Sequence, residues 1–227
     1  MKYNVEQVAG TIDHAVLKPN QTESDVRAQA ALCMRLGVAS MCVRPCDIPL
    51  AVDLLNQSNV VVSCVLSFPH GADSTAVKAV QAEQAVRDGV REIDMVMNIG
   101  QFLSGNYDGV RTDIEAVVDV AHQHDVLVKV IQESCYLSLD DVARACELSL
   151  DAGADFVKTS TGFGPSSATP EIIDVMVKTV GGKMGIKASG GIRTWDQAVG
   201  YLNQGATRLG IGATETVLSG KLSRSDY

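Results

Sequence analysis

A closed eight-stranded (β/α) barrel, the TIM-type α/β fold as a single domain with a short N-terminal helix, is the architecture this sequence predicts. Three observations carry that reading. Short β-branched runs alternate with longer amphipathic stretches, as parallel strands and their covering helices do. Glycines recur where the amphipathic stretches end, and a chain of 227 residues without a long linker suits one barrel better than two domains. An open doubly wound sheet is the structural alternative, because the pattern does not specify strand order.

In order, strands are expected at Ile12–Leu17, Ser40–Val43, Val60–Leu66, Glu92–Met97, Leu127–Ile131, Phe156–Lys158, Gly185–Ala188 and Arg208–Gly210. Helical periodicity fills the intervals at Glu23–Leu36, Ile48–Leu55, Thr75–Asp88, Tyr107–His122, Leu139–Ala152, Pro170–Val180 and Thr194–Gln204, with a last helix from near Thr214. Pro170 suits a first helical turn, where an N–H has no intrahelical partner to lose. Gly37, Gly89, Gly153 and Gly205 form a weak repeat, each placed to stop a helix in the left-handed conformation shortly before a strand. Residues 1–220 make up the barrel in this reading and residues 221–227 a C-terminal tail.

The formal charge of −8 argues against general attraction to nucleic acid or an anionic membrane. The longest nearly apolar run, Val60–Leu66, falls far short of the roughly 20 residues a spanning helix needs. No long apolar stretch of secretory type follows Lys2, so a cytoplasmic protein is expected. Six cysteines lie scattered, without paired CxxC units and histidines at metal spacing. Reduced, mostly buried thiols are expected, and no metal is assigned, not even to the close pair His122 and His124.

The informative residues are three lysines in buried-looking strands: Lys129 in Leu127-Val128-Lys129-Val130-Ile131, Lys158 in Phe156-Val157-Lys158-Thr159, and Lys187 in Gly185-Ile186-Lys187-Ala188. Both successive spacings are 29 residues, one βα unit each, which places the lysines on neighbouring strands at similar heights near the carboxyl face. Asp94 belongs to the strand before Lys129. Taken singly, each lysine reads as a side chain snorkelling into solvent. Taken together, ammonium groups crowded into a desolvated cavity are unfavourable, and their chemical use is to depress the pKa of one of them. A lysine titrating near its usual value of about 10.4 is a poor nucleophile at neutral pH. Beside a cation such as Lys187, the Lys158 amine is freed to attack a carbonyl, and the resulting iminium is an electron sink for making or breaking a C–C bond. Asp94 with Lys129, acting through water, can move the protons.

These segments, with Ile12-Asp13-His14, Ser40-Met41-Cys42-Val43, Ser67-Phe68-Pro69-His70-Gly71, Glu92-Ile93-Asp94-Met95-Val96-Met97-Asn98-Ile99-Gly100, Phe156-Val157-Lys158-Thr159-Ser160-Thr161-Gly162-Phe163 and Ile186-Lys187-Ala188-Ser189-Gly190-Gly191-Ile192-Arg193, resemble the 2-deoxyribose-5-phosphate aldolase family. The resemblance implies a class I aldolase without a cofactor. Lys158 would form the Schiff base, Lys187 perturb it, and Asp94 and Lys129 relay protons, with Asp13 and Cys42 lining the pocket. It implies a sugar-phosphate and small-aldehyde substrate and a possible homodimer. Cys42 also reads as an ordinary buried thiol. Tyr227 resembles the tyrosine with which family members often end and which can reach the site, although an exposed tail is the plainer reading.

Gly162, Gly190, Gly191, Gly210 and Gly212 lie in loops after the last strands, where backbone N–H groups can hold an anion, although each pair also fits a plain tight turn. The chain departs from the resembled family at these loops. Leu209-Gly210-Ile211-Gly212-Ala213-Thr214-Glu215 lacks the usual serine-containing run and brings in Glu215, an unwelcome neighbour for another anion. Ala15 replaces a usual threonine, and Pro165-Ser166-Ser167-Ala168-Thr169 replaces a glycine-rich stretch. Weaker dependence on phosphate is therefore expected. Two alternatives stand beside the main reading: the same Schiff-base chemistry on a different or non-phosphorylated short-chain aldehyde or sugar, and a non-catalytic barrel that binds a small anion.

Overall fold

The structure is a computed structural model and describes residues 3–220. Among the described residues eight parallel strands close a barrel in chain order: β1 (Ile12–Val16), β2 (Ser40–Val43), β3 (Val61–Leu66), β4 (Glu92–Val96), β5 (Leu127–Ile131), β6 (Phe156–Lys158), β7 (Gly185–Ser189) and β8 (Arg208–Ile211). The helices are α1 (Val5–Ala9), α2 (Glu23–Leu36), α3 (Ile48–Leu55), α4 (Thr75–Arg87), α5 (Ile99–Leu103), α6 (Tyr107–His122), α7 (Leu139–Asp151), α8 (Pro170–Val180), α9 (Trp195–Gln204) and α10 (Thr214–Leu218). No helix among them is long and apolar enough to cross a membrane.

The expected strands and helices are all present, and their ends move by a residue at most where the expectation named both. Glycine stops and side-chain caps explain the agreement. Gly37, Gly89, Gly153 and Gly205 all take positive φ, at 65°, 100°, 77° and 120°. Thr22, Ser138 and Thr194 each close a reciprocal capping box at the start of α2, α7 and α9. Helix α5 is new: the Asn98 side chain accepts from the Gln101 N–H and opens one helical turn directly after β4, too short to show a helical period.

Strand alternation sorts the side chains into two environments. Val128 and Val130 of β5, Ile93 and Met95 of β4, and Val157 of β6 join the large apolar shell shared with Ile114, Val117, Val142 and Ile173 of the helices. The alternate positions point into the barrel and carry Glu92, Asp94, Lys129 and Lys158. Burying one Val, Leu, Ile or Met contributes about 1.5–3 kcal/mol, whereas taking one ion inside costs several kcal/mol before it is paired. The outer shell therefore stabilises the fold and sustains the charged interior.

One further ion pair braces the strand that carries Asp94. Lys78 of α4 is fully buried, donates to Asp113 Oδ2 of α6 at 2.5 Å, and donates to the carbonyl of Val96 at the end of β4 at 2.9 Å. Burial pulls the Lys78 amine below its ordinary value, against the opposing pull of Asp113. Asp113→Ala leaves an uncompensated buried ammonium and is expected to destabilise the protein by about 3–5 kcal/mol, read from urea unfolding. A K78M/D113L double variant should regain most of that loss. A double variant as unstable as the single one would show that the unpaired charge is not the cause.

Candidate active site

Register fixes which side chains share the barrel interior. Asp94 pairs across to Lys129, Lys158 to Lys187, Lys187 to Arg208, and Asp13 to Gly210, so all of these face the axis. Asp94 stands at the centre of the constellation. Its Oδ1 accepts from Lys129 Nζ at 2.8 Å, and its Oδ2 accepts from both Lys158 Nζ and Lys187 Nζ at 2.7 Å. The Lys158 and Lys187 nitrogens are thus no further apart than twice that distance. Lys187 Nζ also lies 2.5 Å from Asp13 Oδ2, and Lys129 Nζ lies 2.6 Å from Glu92 Oε2. The four residues expected to carry the chemistry, with Asp13, form one buried cluster.

The expected common height holds for only part of this set. Lys158 and Lys187 are direct neighbours, but Lys129 pairs with Phe156, two residues below Lys158, and sits at the middle of β5 rather than its carboxyl end. Equal spacing along the chain preserves the count of residues per βα unit, whereas height depends on how each strand is staggered against the next. Lys129 therefore lies deeper, held by Asp94 and Glu92.

Electrostatics separates the three amines. Burial is the strongest influence on Lys158 and pushes it below the ordinary lysine value; Asp94 opposes this and the Lys187 ammonium adds to it. Burial acts on Lys187 and Lys129 in the same direction, but carboxylates outweigh it. Asp13 and Asp94 hold Lys187 well above its ordinary value, and Asp94, Asp13 and Glu92 raise Lys129. For Asp94 and Asp13, burial alone would raise the carboxyl pKa, and the surrounding cations overcome it and hold both low. Lys158 is the one lysine of the three driven toward its neutral, nucleophilic form.

Sequence reasoning missed two members of this cluster. Arg208 donates to Asp13 Oδ1 at 2.5 Å and reaches both oxygens of Glu92, at 2.9 and 3.0 Å. Glu92 was detectable, since it precedes Asp94 by two residues and so shares its face. Among the described residues, no group of three or more His, Cys, Asp and Glu side chains is placed to hold a metal ion.

A cavity of about 450 Å³ opens at the carboxyl ends of β1, β6, β7 and β8, lined by Ala15, Lys18, Gln29, Gly162, Ser167, Gly191, Arg193, Gly210 and Gly212 among others. Gly210 packs against Lys187: a Cβ there would stand 2.6 Å from the Ser189 side chain and 3.3 Å from Lys187 Cε. Gly190 is not part of the lining, yet its φ is +79° and a Cβ would meet Ser167 Oγ at 2.7 Å. Cys42 is buried with Leu17 and Val65 in a small apolar cluster, and burial raises its thiol pKa. Glu215 corrects an expectation. Its carboxylate is exposed, pairs with Arg35 at 2.7 Å, and does not line the cavity. Tyr227 and the proposed tail boundary lie outside the described residues.

A family model described as DeoC/LacD family aldolase matches residues 7–217. A deoxyribose-phosphate aldolase of Caldanaerobacter subterraneus subsp. tengcongensis is 46% identical over 207 residues, covering 91% of this chain and 90% of that one. Another, from Carboxydothermus hydrogenoformans, is 45% identical over 223 residues and covers 97% and 98%. Among solved structures, the tetrameric deoxyribose phosphate aldolase of Aeropyrum pernix superposes with a TM-score of 0.89 at 30% identity, covering 95% of this chain and 91% of that chain. The matched span takes in every strand that contributes to the charged cluster, and the chain belongs to the DeoC/LacD family of aldolases.

Proposed function

We propose that the chain catalyses reversible cleavage of 2-deoxy-D-ribose 5-phosphate to D-glyceraldehyde 3-phosphate and acetaldehyde, with Lys158 as the Schiff-base nucleophile. The observation that carries this reading is the Asp94 oxygen shared by the Lys158 and Lys187 nitrogens at 2.7 Å, in a buried setting that drives Lys158 alone toward its neutral form. The neutral amine adds to the aldehyde carbon of the open-chain sugar, and loss of water leaves an iminium. Removal of the proton from the C3 hydroxyl then breaks the C2–C3 bond, and its electron pair passes into the iminium to give an enamine and the phosphorylated aldehyde. Protonation of the enamine at C2 and addition of water release acetaldehyde and restore the amine. Asp94 with Lys129, working through water, moves these protons, while burial, with the Lys187 ammonium adding to it, keeps Lys158 deprotonated.

Lys18, Arg193, Ser167 and the glycine-bearing loops around the cavity support a phosphorylated substrate. The second reading, a non-phosphorylated acceptor, rests on Ala15 and on the absence of serine from Gly210 to Ala213, all at the cavity wall. The ratio of kcat/KM for 2-deoxyribose 5-phosphate over 2-deoxyribose separates the two, and a value below that of a relative with serine in this loop is expected. An equal ratio would remove the expectation of weakened phosphate dependence.

Borohydride with acetaldehyde should reductively add one two-carbon unit to Lys158, located by peptide mass spectrometry. An adduct elsewhere, or none, would sink the reading. The acid limb of this trapping reports the Lys158 amine. Lys187→Met removes the neighbouring cation, which favours protonated Lys158, so the limb should move to higher pH. Trapping at neutral pH should then fall about tenfold for every pH unit the limb moves. A limb that stays in place or moves down would exclude Lys187 as the perturbing charge.

A further inference from the structure

Arg208 and Glu92 open β8 and β4, strands that stand on opposite sides of the eight-stranded barrel. Their side chains meet across its interior, with Arg208 Nη2 2.9 Å from Glu92 Oε1 and Nη1 3.0 Å from Oε2. The same guanidinium reaches Asp13, Asp13 reaches Lys187, and Lys187 shares Asp94 with Lys158. On the other branch Glu92 reaches Lys129, which also binds Asp94. Arg208 and Glu92 thus stand one ion pair behind Asp13 and Lys129, outside the lining of the cavity at the carboxyl ends of the strands.

Around Lys158, β1 supplies Asp13, β2 the Cys42 thiol, β4 Glu92 and Asp94, β5 Lys129, β7 Lys187 and β8 Arg208, while β3 brings only the uncharged Ser63 and Val65. Three carboxylates therefore meet four basic side chains. With every base protonated the interior carries one unbalanced positive charge in a desolvated space; with one lysine neutral it carries none. An arginine does not release its proton under ordinary conditions, so the surplus must fall on a lysine. Of the three, Lys129 touches two carboxylates closely and Lys187 touches two, whereas Lys158 touches Asp94 alone. Lys158 has the least to lose as a neutral amine.

We propose that Arg208 and Glu92 are positioning residues that set the charge balance of the barrel interior, and that this balance decides that Lys158 is the amine that reacts. The inference rests on the Schiff-base reading given above. Without Arg208 the three carboxylates match the three lysines fully protonated, and Lys158 retains its proton. Without both Arg208 and Glu92, two carboxylates face three lysines and one lysine is again in surplus. A purely structural role for either residue predicts that the double variant is worse than each single one.

The test is the pH dependence of borohydride trapping of acetaldehyde on Lys158 in Arg208→Gln, Glu92→Gln and the double variant R208Q/E92Q, with circular dichroism confirming the fold. R208Q should move the acid limb upward by about one pH unit, a loss of about tenfold in trapping rate on that limb. The double variant should bring the limb back toward that of the unaltered enzyme. A limb unmoved in R208Q, or a double variant displaced as far as R208Q, overturns the inference. If R208Q does not fold, E92Q decides: its limb should move down, and a limb that stays or rises overturns the inference. Failure of the Schiff-base reading itself looks different, since the unaltered enzyme would then show no adduct on Lys158 at any pH.

Discussion

The carboxylate of Asp94 is the group on which the interior of this barrel depends. One side chain, without exposed surface, accepts from three lysines on the three strands that follow it. In water such contacts would contribute little; in a closed interior they decide the protonation of every partner. The arrangement is asymmetric. Lys129 and Lys187 each have a second carboxylate, and Lys158 has none, so burial prevails at Lys158 and fails at the other two. Which amine stands neutral is thus a matter of which one is left with the weakest counter-charge.

Such an interior is electrostatically expensive, and its stability comes from elsewhere. The apolar shell between strands and helices is physically separate from the small apolar cluster of Leu17, Cys42 and Val65. The Lys78–Asp113 pair adds a brace at the end of β4, joining α4 and α6 to the strand that carries Asp94. The cavity wall is separate again, built at the carboxyl ends of β1, β6, β7 and β8 and in the loops that follow them, with Gln29 of α2. The charged cluster, the apolar shell and the cavity wall therefore occupy different layers of one barrel.

Legibility in the sequence follows the same division. Strand and helix positions were readable because alternation, capping residues and left-handed glycines act over a few neighbouring residues. Lys158, Lys187, Asp94 and Lys129 were readable because a charged residue inside an apolar alternating run is conspicuous. The depth of Lys129 was not, since it depends on strand stagger, a property of the closed barrel. Arg208 read only as a strand start, because its inward direction is set by pairing with Lys187. The direction of Glu215 was misjudged for a similar reason: its partner, Arg35, stands 180 residues away and holds it on the outer surface. Gln29 joins the cavity wall from α2, held by His14, and no local pattern announces it.

The strict alternation of β5 also bears on how the chain finds its structure. A slip of one residue against β4 or β6 would turn Lys129 into the apolar shell and bring Val128 and Val130 into the ring of carboxylates. Each such mispairing strands an ammonium among methyl groups and leaves acids without partners, a loss no aliphatic barrel would suffer. The buried charges therefore act as a registration code, widening the energy gap between the native pairing and its near neighbours.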